Sequence, residues 1–433
     1  MRKINKRIIN NRCLRVICVL LGFLTSSLTQ ASDIADAAMA GDFGQVDALI
    51  SQGIDVNEAQ VDGNTALHWA VRFDDLDMAT RLMAAGADVA AVNRVSAPPM
   101  LLAAINGSAA MIELLLDHGA DPNAPLSVTG DTPLMIAART GLPEAVNVLL
   151  EANAEINARE FWGGGTALMY AVSEGHSEVV ALLIEAGAEV DARTAFIPRN
   201  TGRGLQFEGL PPRARLPDEI GPQVHTSGEM TPLLISAREG RLESVQLLIE
   251  SGADINARAA DGKDALSLAI YNGNYAVASL LVESGADLNH ADARGFTALF
   301  WAVDRRNMET APNFPWIITE DPLPLVQQLL NAGADPNIII NETPTALMRE
   351  GSPRIVFATA LMRAAFSGDP ELVRLLLDYG ADPFIRASDD ETALSAASGL
   401  GFIDGFHKAR PLTERLEAVR ILVELGLDVN WHD

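Results

Sequence analysis

The sequence has 433 residues, of which 48% are hydrophobic and 21% are charged; this composition supports a sizeable core and excludes global disorder. Aromatic residues make up only 5%, and an apolar fraction rich in Ala and Leu favours helices. The formal net charge of −25 argues against nucleic-acid binding, because a polyphosphate ligand requires a basic surface.

The first 31 residues differ from the rest of the chain. Residues 1–15 carry six basic and no acidic side chains, and the apolar run at 16–24 is shorter than a membrane span of about 20 residues. Small residues at Thr29 and Ala31 complete the pattern of a secretory signal with cleavage after Ala31. We therefore expect an exported, periplasmic protein with no stable membrane span after cleavage; an uncleaved anchor is the alternative.

Cleavage would change both the charge and the thiol content of the protein. Loss of six basic residues takes the formal net charge from −25 to −31. Both cysteines, Cys13 and Cys18, lie in the segment that is removed. The mature chain would therefore form no disulfide and perform no thiol catalysis.

A motif Gly-Ala-Asp, or a close variant, recurs ten times along the remaining chain, at spacings of 33 or 34 residues wherever no insertion intervenes. The motifs begin at Gly53, Gly86, Gly119, Asn153, Gly187, Gly252, Gly285, Gly333, Gly380 and Gly426. A triplet Thr-Ala-Leu or Thr-Pro-Leu stands 21 residues before most of them, beginning at Thr65, Thr132, Thr166, Thr231 and Thr359. A period of this length predicts stacked structural repeats.

Each unit predicts two short helices. In the fourth unit, the Thr132 hydroxyl is suited to cap a helix start, and Pro133 fits the first helical turn, where its missing N–H is not needed. Gly141 ends that helix, and residues 144–150 predict the second one. One such unit cannot bury its own apolar face, so neighbouring units must stack.

The segment Thr65-Ala-Leu-His68-Trp-Ala70 resembles the T-P-L-H-x-A pattern of ankyrin repeats. The resemblance covers about residues 33–433. It implies an all-α solenoid of about ten helix-turn-helix repeats joined by hairpin turns, with His68 in a structural role. Together with the signal sequence, the chain resembles bacterial exported ankyrin proteins. Such arrays are mostly interaction scaffolds, although the fold does not determine the function.

Four insertions divide the array. The predicted organisation is a signal peptide at 1–31, repeats one to five at 32–193, a Pro-, Gly- and Arg-rich insertion at 194–230, and repeats six to ten at 231–433, with further insertions at 308–322, 338–358 and 401–412. Loops this long in a regular array are usually functional or disordered. The sequence leaves open whether 194–230 binds a partner or is a tolerated linker.

Some units depart from the pattern. Pro98 and Asp264 replace the threonine of the third and seventh units, so we expect frayed helix starts there. The last unit has no plainly polar capping helix, and Leu422 and Val423 require cover. We therefore expect self-association through this repeat, a partner, or a continuation of the chain.

No catalytic, cofactor or metal site is predicted. The seven histidines are scattered, and they form neither a His-x-x-x-His pair nor a set with cysteine ligands. The run Gly163-Gly-Gly165 lacks the Lys-Ser/Thr of a phosphate-binding loop and belongs to a hairpin turn. The alternative of an enzyme with a site built by the insertions would depend on Glu208, Asp218, Glu219, His225 and Glu229.

The resemblance implies that residues seven and eight after each threonine face a concave groove. Arginine and aromatic residues are frequent there, and both are typical of binding hot spots. The predicted protein-binding residues are Arg72, Phe73, Arg139, Arg238, Tyr271, Arg305 and Phe366, together with Trp162 and the insertion residues Arg199, Arg203, Arg213 and Arg215. The position four residues after the threonine is often occupied by leucine or isoleucine. The larger side chains found there, Trp69, Tyr170 and Trp301, are candidates to reach the groove.

The sequence thus predicts a non-enzymatic protein-binding scaffold or adaptor of the periplasm or envelope, whose arginines meet acidic groups of a protein partner. One alternative is a structural or protective accessory of an envelope or redox enzyme. The other is the enzyme with a site formed by the insertions.

Overall fold

The computed structural model describes residues 33–196, 228–293, 295–307, 320–340, 359–387, 390–398 and 410–428. These residues form twenty helices and no strand, with two isolated β-bridges in the hairpin turns. The first helices of the ten repeats are Asp33–Ala40 (α1), Ala66–Arg72 (α3), Pro99–Asn106 (α5), Pro133–Thr140 (α7), Ala167–Glu174 (α9), Pro232–Glu239 (α11), Ala265–Asn272 (α13), Ala298–Asn307 (α15), Ala360–Phe366 (α17) and Ala393–Ala397 (α19). The second helices are Phe43–Ser51 (α2), Leu76–Ala84 (α4), Ala109–Asp117 (α6), Pro143–Glu151 (α8), Ser177–Glu185 (α10), Leu242–Glu250 (α12), Tyr275–Glu283 (α14), Leu323–Asn331 (α16), Pro370–Asp378 (α18) and Leu412–Glu424 (α20). The predicted all-α array of ten helix pairs is confirmed.

Local signals set the helix ends. The Thr132 hydroxyl accepts from the Met135 amide (3.4 Å), and Pro133 occupies the first turn. Gly141 ends α7 at φ 78°, a left-handed conformation that glycine adopts without strain. The fourth repeat therefore forms as its residues predict.

The two departures from the threonine pattern behave differently. Asp264 caps α13, since its carboxylate accepts from the Ser267 amide at 2.7 Å. The expectation of a frayed start is wrong at this position, because a carboxylate serves as an N-cap as well as a hydroxyl does. At Pro98 no side chain caps the helix, but Pro99 still fits the first turn of α5.

The first helices form an inner row in which each contacts the next, from α1 to α19. The second helices form an outer row behind them. Small buried residues, including Ala70, Ala103 and Ala137 at equivalent positions, allow the inner helices to approach closely. Stacking continues from α9 to α11 and from α10 to α12, so the insertion at 194–230 does not interrupt the array.

An asparagine ladder links successive repeats. The Asn57 side chain donates to the carbonyl of Gly86 (3.1 Å) and accepts from the amide of Asp88 (2.7 Å), both in the next repeat. The side chains of Asn123, Asn157, Asp191, Asn256, Asn289 and Asn337 accept the equivalent amide hydrogen bond. Two equivalent positions hold other residues, Ala90 and Phe384, and make no ladder bond. The Asp-x-Asn segments predicted as turns therefore also join the repeats.

The ends of the first long insertion meet at its base. The Thr194 amide donates to the carbonyl of Met230 (3.0 Å), and the Met230 amide donates to the Thr194 hydroxyl (2.9 Å). The Arg193 guanidinium also donates to the carbonyl of Arg258 (2.8 Å), in the hairpin after the insertion. The chain therefore leaves and re-enters the array at one point. Most of the four predicted insertions lies outside the described residues.

A buried charge network joins repeats eight, nine and ten. The guanidinium of Arg363, 1% exposed, contacts the carboxylate of Asp304 at 2.5 Å. The fully buried carboxylate of Asp369 accepts from both Arg306 (2.8 Å) and Arg410. The sequence analysis missed this network, which brings together charges from different repeats. Ion pairs this deep require every partner to remain in place.

The last helix, α20, is covered on one side only. Leu422 is fully buried by the chain itself, so the expectation that it requires outside cover is wrong. Val423, Leu412, Leu416 and Leu425 are exposed. Self-association through this repeat remains a prediction.

Candidate protein-binding surface

The predicted binding residues lie at the C-terminal ends of the inner helices, on a surface called here the inner face. Arg72 ends α3 and Phe73 follows it, while Arg139 and Arg238 occupy the last turns of α7 and α11. All four are exposed, with Phe73 at 56%. Tyr271, near the end of α13, is half-buried. The structure therefore places these five residues along one row of stacked helices.

Two of the predicted residues are not available at the surface. Arg305 is 3% exposed and Phe366 is 1% exposed. The Arg305 guanidinium lies over the Tyr271 ring, 5.3 Å from its centroid, and donates to the Tyr271 carbonyl. Phe366 packs in the hydrophobic core. The expectation that these two side chains face the groove is wrong, because Arg305 contacts Tyr271 of the preceding repeat and Phe366 packs among core residues.

Aromatic side chains support two of the exposed arginines. Trp69 is half-buried, and its indole N–H donates to the Gln60 side chain at 2.8 Å. The Arg72 guanidinium lies 5.5 Å from the Trp69 ring centroid, and the Phe73 ring stacks on Trp69 at 5.9 Å. The aromatic and cationic groups therefore form one layered cluster.

Arg139, two repeats further along, also lies over an aromatic ring. Its guanidinium lies 5.7 Å from the ring centroid of Tyr170 in the next repeat. The Tyr170 hydroxyl donates to Asp131 at 2.9 Å, and Ser127 and Thr129 donate to the same carboxylate. Trp69 and Tyr170 thus border the inner face as candidates, whereas Trp301 is buried at 7% exposure.

The hydrogen bonds around Asp131 determine its charge state. Burial alone would raise the pKa of the Asp131 carboxyl, but hydrogen bonds from Thr129, Ser127 and Tyr170, and then the charge of Arg139, hold that pKa below its usual value. Burial, followed by the hydrogen bond to Asp131, raises the pKa of Tyr170. Asp131 is therefore ionised near neutral pH, and three hydroxyl groups already occupy its oxygens.

Three exposed arginines of repeats two to four have no ion-pair partner among the described residues. Some exposed arginines form ion pairs, as do Arg81 with Asp47 (2.6 Å) on the outer row and Arg238 with Glu239 (2.8 Å) on the inner face. Within the described ranges no carboxylate lies within 4.0 Å of the guanidinium of Arg72, Arg94 or Arg139. The sequence analysis missed Arg94, which lies on a hairpin turn rather than at the helical positions considered.

Arg94 borders an open depression of about 430 Å³ beside the Trp69 cluster. Its other lining residues are Asp36, Gln60, Val61 and Asp62. Gln60 links the depression to the cluster, because it accepts from Trp69 and donates to Asp36 (2.5 Å). The depression and the cluster are thus one continuous surface of the first three repeats.

The charges of the two rows are segregated. From α2 to α14 the outer helices carry eleven acidic residues and one basic residue, Arg81. From α3 to α13 the inner helices carry three arginines and two glutamates. The outer helices of these repeats are therefore strongly acidic, and the inner helices are close to neutral.

Trp162 is 47% exposed at the tip of the hairpin between repeats four and five. Beside it, the Glu160 carboxylate accepts from the amides of Trp162 (2.6 Å) and Gly165 (3.1 Å). The Gly163-Gly-Gly165 turn thus holds a carboxylate of its own chain. Arg199, Arg203, Arg213 and Arg215 lie outside the described residues, as do residues 1–31 and the insertion residues Glu208, Asp218, Glu219 and His225.

The histidines of the described repeats make structural contacts. His68 is buried between Thr65 and the carbonyl of Ala97, which lies 3.0 Å from its Nε2. Within the described ranges no group of three or more His, Cys, Asp or Glu side chains is placed to hold a metal ion. In the same part of the chain, no helix combines the length and apolarity needed to cross a membrane.

Comparisons with known proteins agree with the fold. A profile described as ankyrin repeats (3 copies) matches residues 100–194, 216–292, 233–312 and 317–433, and one described as ankyrin repeats (many copies) matches residues 34–83. The chain belongs to the ankyrin-repeat family.

Several curated proteins are similar to parts of the chain, and the chain covers less than a quarter of the length of the first two. Zygote-specific protein 3 of Chlamydomonas reinhardtii is 42% identical over 79 residues, which cover 18% of this chain and 21% of that protein. Ankyrin repeat domain-containing protein SAT10 of Stachybotrys chartarum is 34% identical over 117 residues, or 27% of this chain and 6% of that protein. The putative ankyrin repeat protein RF_p14 of Rickettsia felis is 50% identical over 44 residues, covering 10% of this chain and 70% of that protein. The crystal structure of the human ASB11 ankyrin repeat domain covers 59% of this chain and 99% of its own, at 28% identity and a TM-score of 0.47.

Proposed function

We propose that this protein is a non-enzymatic scaffold that binds a protein partner on the inner face of repeats two to six. The observation that carries the proposal is the state of Arg72 and Arg139. Both are exposed, lie on aromatic rings and have no carboxylate partner among the described residues. In a chain with 57 acidic and 32 basic side chains, cations left unpaired in this way are suited to groups of another molecule.

The rigidity of the surface supports the same function. The arginines are attached to helices with capped ends, and the asparagine ladder fixes many of the junctions between repeats. A preorganised surface loses little conformational entropy when a partner binds. Phe73 adds exposed apolar area beside the cations. Modest contacts on the inner face can therefore give useful affinity.

The compartment is also part of the proposal. The basic and apolar pattern of residues 1–31 supports export to the periplasm, with mature protein beginning at Ser32. Cell fractionation followed by N-terminal sequencing tests this. A soluble periplasmic protein that begins at Ser32 is expected, whereas an intact N-terminus in the cytosol would refute export.

The insertion contributes to binding in this proposal through Arg199, Arg203, Arg213 and Arg215. Because Thr194 and Met230 are already hydrogen-bonded, a short turn can replace residues 197–227 without displacing the repeats. We expect this deletion to change the melting temperature by only a few degrees, because loop length has a weak effect on stability. Partner binding should weaken; unchanged binding would assign the contact to the helices alone.

Site-specific photo-crosslinking tests the binding surface. A photoreactive amino acid at Phe73 is compared with one at Leu242, which is exposed at 43% on the outer row. In a native envelope extract, one discrete adduct from position 73 and none from position 242 is expected. Equal adducts from both positions, or none from position 73, would refute binding on the inner face.

A further inference from the structure

Arg72, Ile105 and Arg139 occupy the same place in three successive repeats. Each stands seven residues after the first position of its unit, at Thr65, Pro98 and Thr132 respectively. The helices that carry them, α3, α5 and α7, pack directly on one another. The inner face therefore presents the order cation, apolar group, cation, one repeat apart.

The apolar member is open to solvent. Ile105 is 52% exposed, close to the value of 56% for Phe73 in the preceding repeat. Next to Ile105, the Asn106 side chain donates to the carbonyl of Val71 at 3.0 Å and holds the ends of α5 and α3 together. The floor between the two arginines is therefore both apolar and fixed.

The two guanidinium groups are prepared for carboxylates. Each guanidinium carbon lies over an aromatic ring, Arg72 at 5.5 Å from the Trp69 centroid and Arg139 at 5.7 Å from the Tyr170 centroid, and the edge of a guanidinium carries a fork of N–H donors. A carboxylate binds such an edge through two parallel hydrogen bonds. Asp131 is near Arg139, but its oxygens accept from Ser127, Thr129 and Tyr170.

Packed helices lie about 8–10 Å apart, so the two arginine positions are about 16–20 Å apart. An extended peptide advances about 3.3 Å per residue and returns to the same face every second residue. Carboxylates six residues apart therefore match the two arginines, and side chains two or four residues after the first acid point towards Ile105.

On this basis we propose that the inner face of repeats two to four binds an extended acidic peptide segment, with two carboxylates six residues apart and apolar side chains between them. The inference rests on the proposed function and specifies the partner. Charge supports a peptide of this kind: the inner helices are close to neutral, so a ligand with two isolated carboxylates fits, whereas the net charge of −25 repels a polyanion.

The test uses the chain from Ser32 onwards, which contains all described helices. The probe is a fluorescein-labelled peptide Ser-Glu-Ser-Leu-Ser-Leu-Ser-Glu-Ser, and binding is followed by fluorescence anisotropy at low salt. A second peptide of identical composition places the two glutamates three residues apart. We expect the first peptide to bind at least about fivefold more tightly than the second, because only it reaches both arginines.

Substitutions identify the site. Arg72→Ala and Arg139→Ala should each weaken binding of the first peptide by about three- to tenfold, and the double variant should reduce it to background. Arg81→Gln is the matched control, because Arg81 is exposed on the outer row and its loss should leave binding unchanged. Circular dichroism confirms that the variants are folded.

Equal affinity for both peptides, or equal losses in Arg81→Gln and Arg72→Ala, would overturn the proposal. So would self-association of the chain that disappears in the double variant, because the occupant would then be a second copy. Absence of peptide binding, combined with a discrete adduct at position 73, would overturn this ligand assignment and leave the proposed function intact. Peptide binding without an adduct at position 73 would support the ligand assignment and overturn the proposed function.

Discussion

Arg306 and Asp369 are 63 residues apart in sequence, yet their Nε and Oδ2 atoms are 2.8 Å apart and both side chains are buried. Asp369 also accepts from Arg410 and caps α18 through the Leu372 amide at 3.1 Å. One carboxylate therefore pairs with two guanidinium groups and fixes a helix start. This arrangement makes Asp369 the centre of the contacts among repeats eight, nine and ten.

Asp369→Ala should destabilise these repeats by about 3–5 kcal/mol, because it removes the fully buried carboxylate that Arg306 and Arg410 share and leaves both guanidinium groups with only partly exposed carboxylate partners. Urea unfolding gives the free energy, and hydrogen exchange should localise the loss to α15–α20. Asp369→Asn is the control, since it keeps the shape and the capping oxygen and should separate the charge from the cap. A loss below 1 kcal/mol in the alanine variant would contradict the assigned role.

A reciprocal pair of substitutions tests the asparagine ladder. Asn57→Ala removes two hydrogen bonds to the next repeat and should cost about 1 kcal/mol. Ala90 has the same turn as Asn57, with its amide donating to Asp88 (2.8 Å) as that of Asn57 donates to Asp55 (2.9 Å). Ala90→Asn should therefore stabilise the array by a similar amount. Thermal unfolding should move in opposite directions for the two variants; shifts of the same sign would disprove the ladder's contribution.

Phe73 and Phe366 are a matched pair for separating binding from stability. Phe366→Ala should destabilise the protein by about 3–5 kcal/mol, because the side chain is 1% exposed in the core. Phe73→Ala should change stability by no more than about 0.5 kcal/mol, since that ring is 56% exposed. Chemical denaturation of both variants measures the contrast. Similar losses would mean that the two rings have the same environment, contrary to the structure.

His68 should make stability depend on pH. Its Nε2–H donates to the Ala97 carbonyl, and its Nδ1 accepts from the Thr65 amide (3.2 Å), so the folded protein holds the neutral ring. Burial lowers the pKa of His68, outweighing the hydrogen bond to Ala97 and the charge of Asp62, which raise it.

A depressed histidine pKa means that the unfolded state binds the proton first as the pH falls. Stability from His68 is therefore complete above about pH 6.5 and declines below it, by at most about 1.4 kcal/mol per pH unit. The stability difference between the parent protein and His68→Gln should shrink between pH 7 and pH 5. A constant difference over that range would show that His68 does not titrate differently in the two states.

Sequence reasoning predicted the array well because its signals are local. Thr132, Pro133 and Gly141 specify a helix start and end within one repeat, and the period predicts the number of repeats. The exposure of a side chain also depends on its contacts with neighbouring repeats, so the helical register alone could not predict that Arg305 and Phe366 are buried. Arg305 has the register of the exposed Phe73, eight residues after the threonine, but its contacts with Tyr271 bury it. The pairing of Arg306 with Asp369 likewise arises only from folding across repeats.

The correctly predicted exposure of four candidate binding residues has a local explanation. Arg72, Phe73, Arg139 and Arg238 lie on regular helices, and their exposure follows from the helical register. Arg94 was missed because it lies on a hairpin turn, where the register of the helices gives no information. That Arg72 and Arg139 have no carboxylate partner within the described ranges became visible only when the neighbouring repeats were in place.

The asparagine ladder gives the array a direction. At every junction with a ladder asparagine, the side chain comes from the earlier repeat and the backbone groups from the later one, as in Asn57 with Gly86 and Asp88. A chain synthesised from its N-terminus therefore presents each ladder side chain before the repeat that it will hold. Truncation from the two ends therefore releases different groups: removal of later repeats frees asparagine side chains, whereas removal of earlier ones frees backbone groups, and water can satisfy both.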